Sequence, residues 1–202
     1  MLHSILKFLE QDAFKNIVLL KMLHAYGDQI ERHFVQSREG SGLLLLMPTR
    51  VSQYDAKTYP QTDYVVLFST DNLEVTQSLF NYIPHDCNLI FILMDAEVKS
   101  RLATLFPWRR ATAFLSYTNR MESSFVTDPE VQITNSVDED SLAMYETQGH
   151  PRETVRKQFA DGEALHFALY QQAHPVSLCF TYRNYGNVWE IGGVWSDPVF
   201  RR

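Results

Sequence analysis

The feature that most constrains the fold is a pair of alternating runs near the carboxyl end of the chain. In residues 164–171 (ALHFALYQ), large apolar residues recur at every second position, namely Leu165, Phe167 and Leu169. In residues 175–183 (PVSLCFTYR), four residues share this spacing, namely Val176, Leu178, Phe180 and Tyr182. A period of two is typical of a strand with one face on a core and one toward water. The short turn QAH between the runs predicts that they pair antiparallel.

The elements around this pair extend it into a longer pattern. The turn NYGN leads into residues 188–196 (VWEIGGVWS), which predict a third strand and so a meander. Upstream, residues 131–136 (VQITNS) predict a short strand. Two helices are predicted between that strand and the meander, one capped by Ser136 or Asp138 and one opening at Pro151. The carboxyl-terminal third therefore reads strand, helix, helix and three antiparallel strands.

Residues 1–118 alternate helical and strand-like segments and predict a separate α/β unit. The strand-like segments include GLLLLM, DYVVLFS, CNLIFILM and, at residues 111–118, ATAFLSYT. The stretch at residues 119–130 (NRMESSFVTDPE) is polar and contains a proline, as domain boundaries often do. We therefore expect two domains, residues 1–119 and 130–202.

Composition excludes several classes of protein. The chain has 202 residues, 45% of them hydrophobic, which is enough for one or two packed cores. Its net charge of −6 argues against general nucleic-acid binding. The amino terminus lacks a basic segment followed by a long apolar run, and GLLLLMP is too short to span a bilayer. We expect no membrane partner, no metal site and a cytoplasmic location.

The order of elements, ending in EIGGVWSDPVFRR, resembles the front half of a domain of the GNAT superfamily of N-acetyltransferases. In that family the last of these strands runs into a glycine-containing loop that binds the pyrophosphate of acetyl-CoA. The resemblance places Arg201 and Arg202 at the first two positions of this loop. It also implies that Val194 and Trp195 lie where the backbone pairs with the pantetheine arm of acetyl-CoA, as an added strand would.

The resemblance implies a base within the same strand. The family often uses a carboxylate near the beginning of this strand to take a proton from the incoming amine, and Glu190 occupies that position. Trp189 and Trp195 flank it in sequence, and we expect them to lower the local polarity and raise its pKa. The adjacent pair Gly192 and Gly193 predicts a β-bulge or a close approach of the backbone.

The fold class expected from the pattern and the resemblance together is α/β (α+β). A mixed, mainly antiparallel GNAT-like sheet flanked by helices follows a smaller α/β lobe. The order of elements in that lobe is similar to the degenerate amino-terminal half of two-domain GNAT proteins such as the glycine N-acyltransferase group. No phosphate loop is visible in it, and a scaffold or substrate-side role is expected.

The function implied by the resemblance is transfer of an acetyl or other small acyl group from acetyl-CoA, the cosubstrate, to an amine. The acceptor would be a small molecule or a peptide. The resemblance also implies that the sequence stops inside the cofactor loop. A chain ending there is expected to bind acetyl-CoA weakly or not at all, to show doubtful activity, and to leave its last strand exposed at one edge.

Other readings of the same residues stay open. The domain can be a non-catalytic interaction or ligand-sensing module, whose free edge strand pairs with a partner or with a second copy in a homodimer. It can also be an unrelated α/β domain. Glu190 can be a surface residue and Gly192–Gly193 a structural bulge. His166 and His174 are expected at the surface, because the first alternates with the apolar residues of its strand and the second lies in a turn.

Overall fold

The computed structural model of this protein describes residues 1–113 and 128–201. The chain divides into two compact units, Met1–Ala113 and Phe114–Arg202. Each unit contains a four-stranded sheet together with helices, so the expected mixed α/β class is confirmed.

The first unit alternates helices and strands along the chain. Its helices are α1 (Leu2–Leu9), α2 (Ile17–Tyr26), α3 (Gln53–Thr58), α4 (Leu73–Leu79) and α5 (Ala96–Leu102). Its strands are β1 (Glu31–Gln36), β2 (Ser41–Pro48), β3 (Tyr64–Thr70) and β4 (Leu89–Leu93). The order in the sheet is β1-β2-β3-β4, with antiparallel pairing except between β3 and β4, which are parallel.

The core of the first unit forms around its central strands. Every residue of β2 from Ser41 to Met47 is buried, which explains why its apolar run is continuous rather than alternating. Helix α4 begins where Asn72 accepts hydrogen bonds from the backbone N–H groups of Glu74 and Val75. The helix then packs Leu79 against Leu44 and Phe68 of the sheet, in a cluster of buried side chains.

The second unit follows the predicted order of elements. It contains β5 (Gln132–Thr134), α6 (Glu139–Thr147), α7 (Arg152–Ala160), β6 (Ala164–Gln171), β7 (His174–Tyr185) and β8 (Val188–Ser196), and a 3₁₀ turn at Pro198–Phe200. The sheet order is β5-β6-β7-β8, with every neighbouring pair antiparallel. The predicted meander is therefore confirmed. Among the described residues, β8 has a ladder partner on one side only.

Local signals explain where the two helices of this unit begin and end. The Asp138 carboxylate accepts a hydrogen bond from the Ser141 N–H at 2.7 Å and caps α6. Pro151 immediately precedes α7, where a missing N–H costs nothing. Gly149 and Gly162 follow the two helices with φ of +86° and +71°, conformations that favour glycine.

The expected orientation of β6 is wrong. Helices α6 and α7 pack on the face that carries Ala164, His166 and Ala168, whereas Leu165 on the other face is 37% exposed. The two alanines are small, so the helices can approach the sheet closely. Strand β7 obeys its pattern, because Leu178 and Phe180 are buried on this helix-covered face.

His166 is accordingly a core residue, 2% exposed, and not the surface residue that its alternation predicted. Its Nδ1 lies 3.4 Å from the Tyr145 hydroxyl of α6, and its Nε2 is buried without a hydrogen-bond partner. Burial lowers the pKa of His166, and the nearby Asp138 carboxylate opposes this shift in part. The unit therefore holds a neutral imidazole between α6 and β6.

Two predicted segments lie partly outside the described residues. Of the strand predicted at residues 111–118, only residues 111–113 are described, and they are not a strand. Of the boundary predicted at residues 119–130, only residues 128–130 are described, and they form an irregular turn.

Candidate functional site

Strand β8 is interrupted by a β-bulge at its paired glycines. Phe180 pairs with Gly192, and Leu178, two residues earlier in β7, pairs with Trp195. Two steps along β7 therefore match three steps along β8, which is the definition of a bulge. Gly193 takes a φ of +58° at this point, in the left-handed region. The bulge predicted from Gly192 and Gly193 is confirmed.

The same bulge brings the backbone of β8 against two aromatic rings. A Cβ atom built on Gly193 would lie 2.6 Å from Cδ1 of Tyr145 and 2.8 Å from Cε1 of Phe180. Real Cβ atoms essentially never come within 3.0 Å of such neighbours. The position therefore requires glycine twice over, for its φ and for its lack of a side chain.

Glu190 lies on the helix-covered face of β8, opposite Tyr182 of β7 in the ladder. Its Oε2 accepts a hydrogen bond from the Asn184 side-chain amide at 2.6 Å. The carboxylate also hydrogen-bonds the Tyr182 hydroxyl. Burial raises the pKa of Tyr182, and the charge and the hydrogen bond of Glu190 raise it further. The structure thus places a fixed carboxylate at the edge strand, two residues before the bulge.

The two tryptophans do not flank Glu190 as expected. Trp189 lies on the opposite face of the sheet, where its ring centroid is 5.5 Å from the Arg183 guanidinium carbon. Neighbouring residues of a strand point to opposite faces, so Trp189 cannot shield the next side chain. Trp195 packs against the core cluster that contains Leu142 and Tyr145.

A residue that no sequence pattern singled out, His150, joins this site. It lies between α6 and α7, and its N–H donates to the Tyr145 carbonyl at 3.1 Å. Its ring meets the edge of Phe180, with centroids 5.2 Å apart and planes at 83°. Burial lowers the pKa of His150, whereas the charge of Glu190 acts to raise it. The imidazole therefore lies within the electrostatic range of the Glu190 carboxylate.

Val194 and Trp195 lie directly after the bulge in the edge strand. Val194 is 69% exposed, and Trp195 turns its side chain toward the core. The side of β8 away from β7 has no ladder partner among residues 128–201. The backbone of this segment is therefore available to an extended ligand.

Arg201 lies just beyond the strand and folds back onto it. Its Nε and Nη2 both donate to the Ser196 carbonyl, at 3.0 and 2.8 Å. The guanidinium is exposed and stands at the end of β8. The other arginine of the predicted pair, Arg202, lies outside the described residues.

His174, the other histidine expected at the surface, is indeed exposed at the start of β7. Its Nδ1 lies 3.8 Å from a carboxylate oxygen of Asp140 in α6. Within residues 1–113 and 128–201, no group of three or more His, Cys, Asp or Glu side chains is placed to hold a metal ion. No helix in this part of the chain has the length and apolar character needed to cross a membrane.

Comparisons with known proteins give one similarity of low degree. No protein-family model matches the chain, and no curated protein matches it. Among solved structures, the chain is similar to a GCN5-related N-acetyltransferase-like protein from Streptococcus suis, with a TM-score of 0.45 and 12% identity. The match covers 98% of this chain and 76% of that chain. The function of this protein is therefore argued from its own residues.

Proposed function

We propose that this protein transfers an acetyl or other small acyl group from a CoA thioester to an amine acceptor, at a site centred on the β8 bulge. The observation that carries the proposal is the combination, in one edge strand, of a fixed carboxylate at Glu190 and a bulge at Gly193. The order of elements in the second unit, which resembles the GNAT pattern, supports the same reading. The first unit would then serve as a scaffold or substrate-side lobe.

The acyl donor is a substrate whose extended pantetheine arm needs amide partners. The open side of β8 at Val194 and Trp195 offers backbone N–H and C=O groups of the right kind. The bulge interrupts the regular pairing of β8 with β7 at this place. Arg201, at the end of the strand, supplies a positive charge for the donor's phosphates. These residues fit the donor.

The chemistry needs a proton acceptor and no covalent enzyme intermediate. The neutral amine nitrogen attacks the thioester carbonyl carbon and forms the amide bond. The carbon–sulfur bond breaks, and the proton that the nitrogen loses as the amide forms goes to the sulfur, which leaves as the CoA thiol. An amine is mostly protonated at neutral pH and must lose one proton before attack. We assign Glu190 to draw the ammonium group in by its charge and to receive this proton, directly or through water. Asn184 and Tyr182 hold the carboxylate in position.

The test measures release of the CoA thiol from acetyl-CoA with a panel of small amines and amino-terminal peptides. It uses the protein at its natural length, purified from its source or produced from its full gene. We expect amine-dependent thiol release, and we expect Glu190→Gln to lower kcat/KM by about 100-fold, the lower end of the usual contribution of general acid–base catalysis.

Glu153→Gln is the matched control, because Glu153 is an exposed carboxylate on α7. Its substitution removes the same negative charge at a position away from the site. It should leave kcat/KM unchanged. Equal losses in both variants, or no thiol release with any amine, would reject the proposal. In the second case, a rise in molecular mass with concentration would favour the interaction module that pairs through β8.

A further inference from the structure

We infer that His150 acts with Glu190 as a proton-accepting pair, in which the imidazole takes the proton from the acceptor amine and the carboxylate stabilises the imidazolium that forms. This inference rests on the proposed acyl transfer and changes one role in it: His150 receives the amine proton that was assigned above to Glu190, and Glu190 supplies the negative charge that stabilises the imidazolium. It assigns a role to the connection between α6 and α7, which brings His150 over the bulged part of the sheet.

The position of His150 follows from three contacts. Its backbone is tied to α6 through the Tyr145 carbonyl. Its ring packs on the edge of Phe180, which pairs with Gly192 in the ladder. Glu190 is two residues from Gly192 and shares its face, since alternate residues of a strand point the same way. The imidazole and the carboxylate therefore lie on the same face of the sheet, the one that the helices cover, and the charge of Glu190 acts on the ring.

The chemistry favours the imidazole as the first acceptor. Imidazoles titrate near pH 6.5 and carboxylic acids near pH 4, so an imidazole is the better matched base at neutral pH. Burial keeps the pKa of His150 below its usual value, so the ring is neutral and able to accept a proton at pH 7. The Glu190 carboxylate already accepts hydrogen bonds from Asn184 and Tyr182, which fix its position on the face that it shares with His150.

The other titratable groups around His150 do not compete for this role. Tyr182 and Tyr145 both have a pKa raised by burial, so each stays a neutral phenol at pH 7. On the flanking helices, Glu146 and Arg152 bind each other at 2.8 Å. The charge that acts on the imidazole is therefore that of Glu190. The ammonium group of the acceptor gives one proton to the imidazole before attack. As the amide forms, the second proton of the nitrogen passes to the sulfur when the carbon–sulfur bond breaks.

The first experiment tests the interaction between His150 and Glu190 without measuring acyl transfer. The ring protons of His150 are titrated by NMR in the wild type, in Glu190→Gln and in the control Glu153→Gln. We expect the pKa of His150 to fall in Glu190→Gln, because the carboxylate that stabilises the imidazolium is gone, and to stay constant in Glu153→Gln. An unchanged titration in Glu190→Gln would overturn the pair.

The second experiment measures the pH profile of kcat/KM in the thiol-release assay. We expect the low-pH limb of the wild type to follow the pKa of His150 from the NMR titration. In His150→Gln, this low-pH limb should disappear and kcat/KM should be about 100-fold lower than in the wild type. The control His174→Gln, which removes an exposed histidine, should keep the low-pH limb and the wild-type kcat/KM.

The outcomes separate this inference from the proposed function. An active wild type whose low-pH limb survives in His150→Gln would overturn the role of His150 and leave acyl transfer standing. A wild type inactive toward every amine would reject acyl transfer and, with it, this role. Loss of the limb in His150→Gln alone would support both.

Discussion

Substitution of Gly193 by alanine tests whether the bulge in β8 is built on a close approach of the backbone to the aromatic rings. The new Cβ would lie 2.6 Å from Cδ1 of Tyr145 and 2.8 Å from Cε1 of Phe180. Both rings belong to the buried cluster between α6 and the sheet and are less than 2% exposed, so neither can simply swing into solvent.

The expected loss has two parts. A residue with a side chain in the left-handed region costs about 1–2 kcal/mol. Forcing an extra methyl group into a packed core costs about 1–3 kcal/mol more. Gly193→Ala should therefore lower the free energy of unfolding by about 2–5 kcal/mol. Gly186→Ala is the matched control, because Gly186 has a similar φ of +54° but no atom within 4 Å of the added Cβ. It should show only the first part.

The assay is urea unfolding of the full chain followed by tryptophan fluorescence. Two of the three tryptophans, Trp189 and Trp195, lie in β8 and report on this unit. We expect Gly193→Ala to be less stable than Gly186→Ala by about 1–3 kcal/mol, the cost of the overpacking alone. Equal losses in the two variants would refute the close approach, and with it the bulge geometry on which the proposed site depends.

Two remaining predictions concern the buried imidazole of His166. The pKa of His166 is lowered in the folded protein, so the unfolded chain binds the proton more tightly. The neutral imidazole therefore contributes its full stabilisation above pH 6.5, and this stabilisation is lost as the pH falls toward the pKa of the folded state. We expect the urea midpoint of the second unit to decrease as the pH is lowered from 7 to 5. The loss of unfolding free energy due to His166 should be at most about 1.4 kcal/mol per pH unit. The groups that face the ring are Tyr145 and the Asp138 carboxylate next to α6. Burial acts to raise the pKa of Asp138, but hydrogen bonds from Tyr170 and Ser141 hold it below its usual value. Asp138 therefore stays charged between pH 7 and pH 5. His166→Gln keeps a polar group beside Tyr145 without titrating, and its midpoint should vary less with pH; the same slope in wild type and variant would place the titration elsewhere.

The sequence was sufficient to predict the features that depend on local chemistry. The caps at Asp138 and Pro151, and the bulge at Gly192–Gly193, follow from properties of single residues, and the structure contains all of them. The meander was also predictable, because the turn after β6 and the turn after β7 are short and the runs between them have the length and spacing of strands. Such signals do not depend on where the rest of the chain packs.

The orientation of β6 could not be read from its alternation. Leu165, Phe167 and Leu169 are the more hydrophobic set, yet the helices cover Ala164, His166 and Ala168. The face that a helix covers depends on how closely it can approach the sheet, and small residues allow the closest approach. The buried histidine is the consequence, since it shares the face of the two alanines.

The site residues divide in the same way. Glu190 was predicted because its strand resembles one in which a known family often places a carboxylate. His150 lies in a connection with no period and comes near Glu190 only through the packing of α6 against Phe180. The expected screening of Glu190 by Trp189 failed because neighbours in a strand point to opposite faces. Contacts between distant segments were the missing information for His150, whereas the alternation of side chains along a strand was enough to exclude Trp189.

The central claim is that an acyl donor lies along the open side of β8 at the bulge. The most direct measurement is an NMR titration of the ¹⁵N-labelled protein, at the natural length used in the activity assay, with S-acetylpantetheine, which carries the donor's amide groups and thioester without its phosphates. We predict that the largest shifts occur at the amides of Val194 and Trp195, with little change at Leu165 and Leu169 of β6. Shifts confined to other segments, or no shift up to the solubility limit of the ligand, would contradict the account.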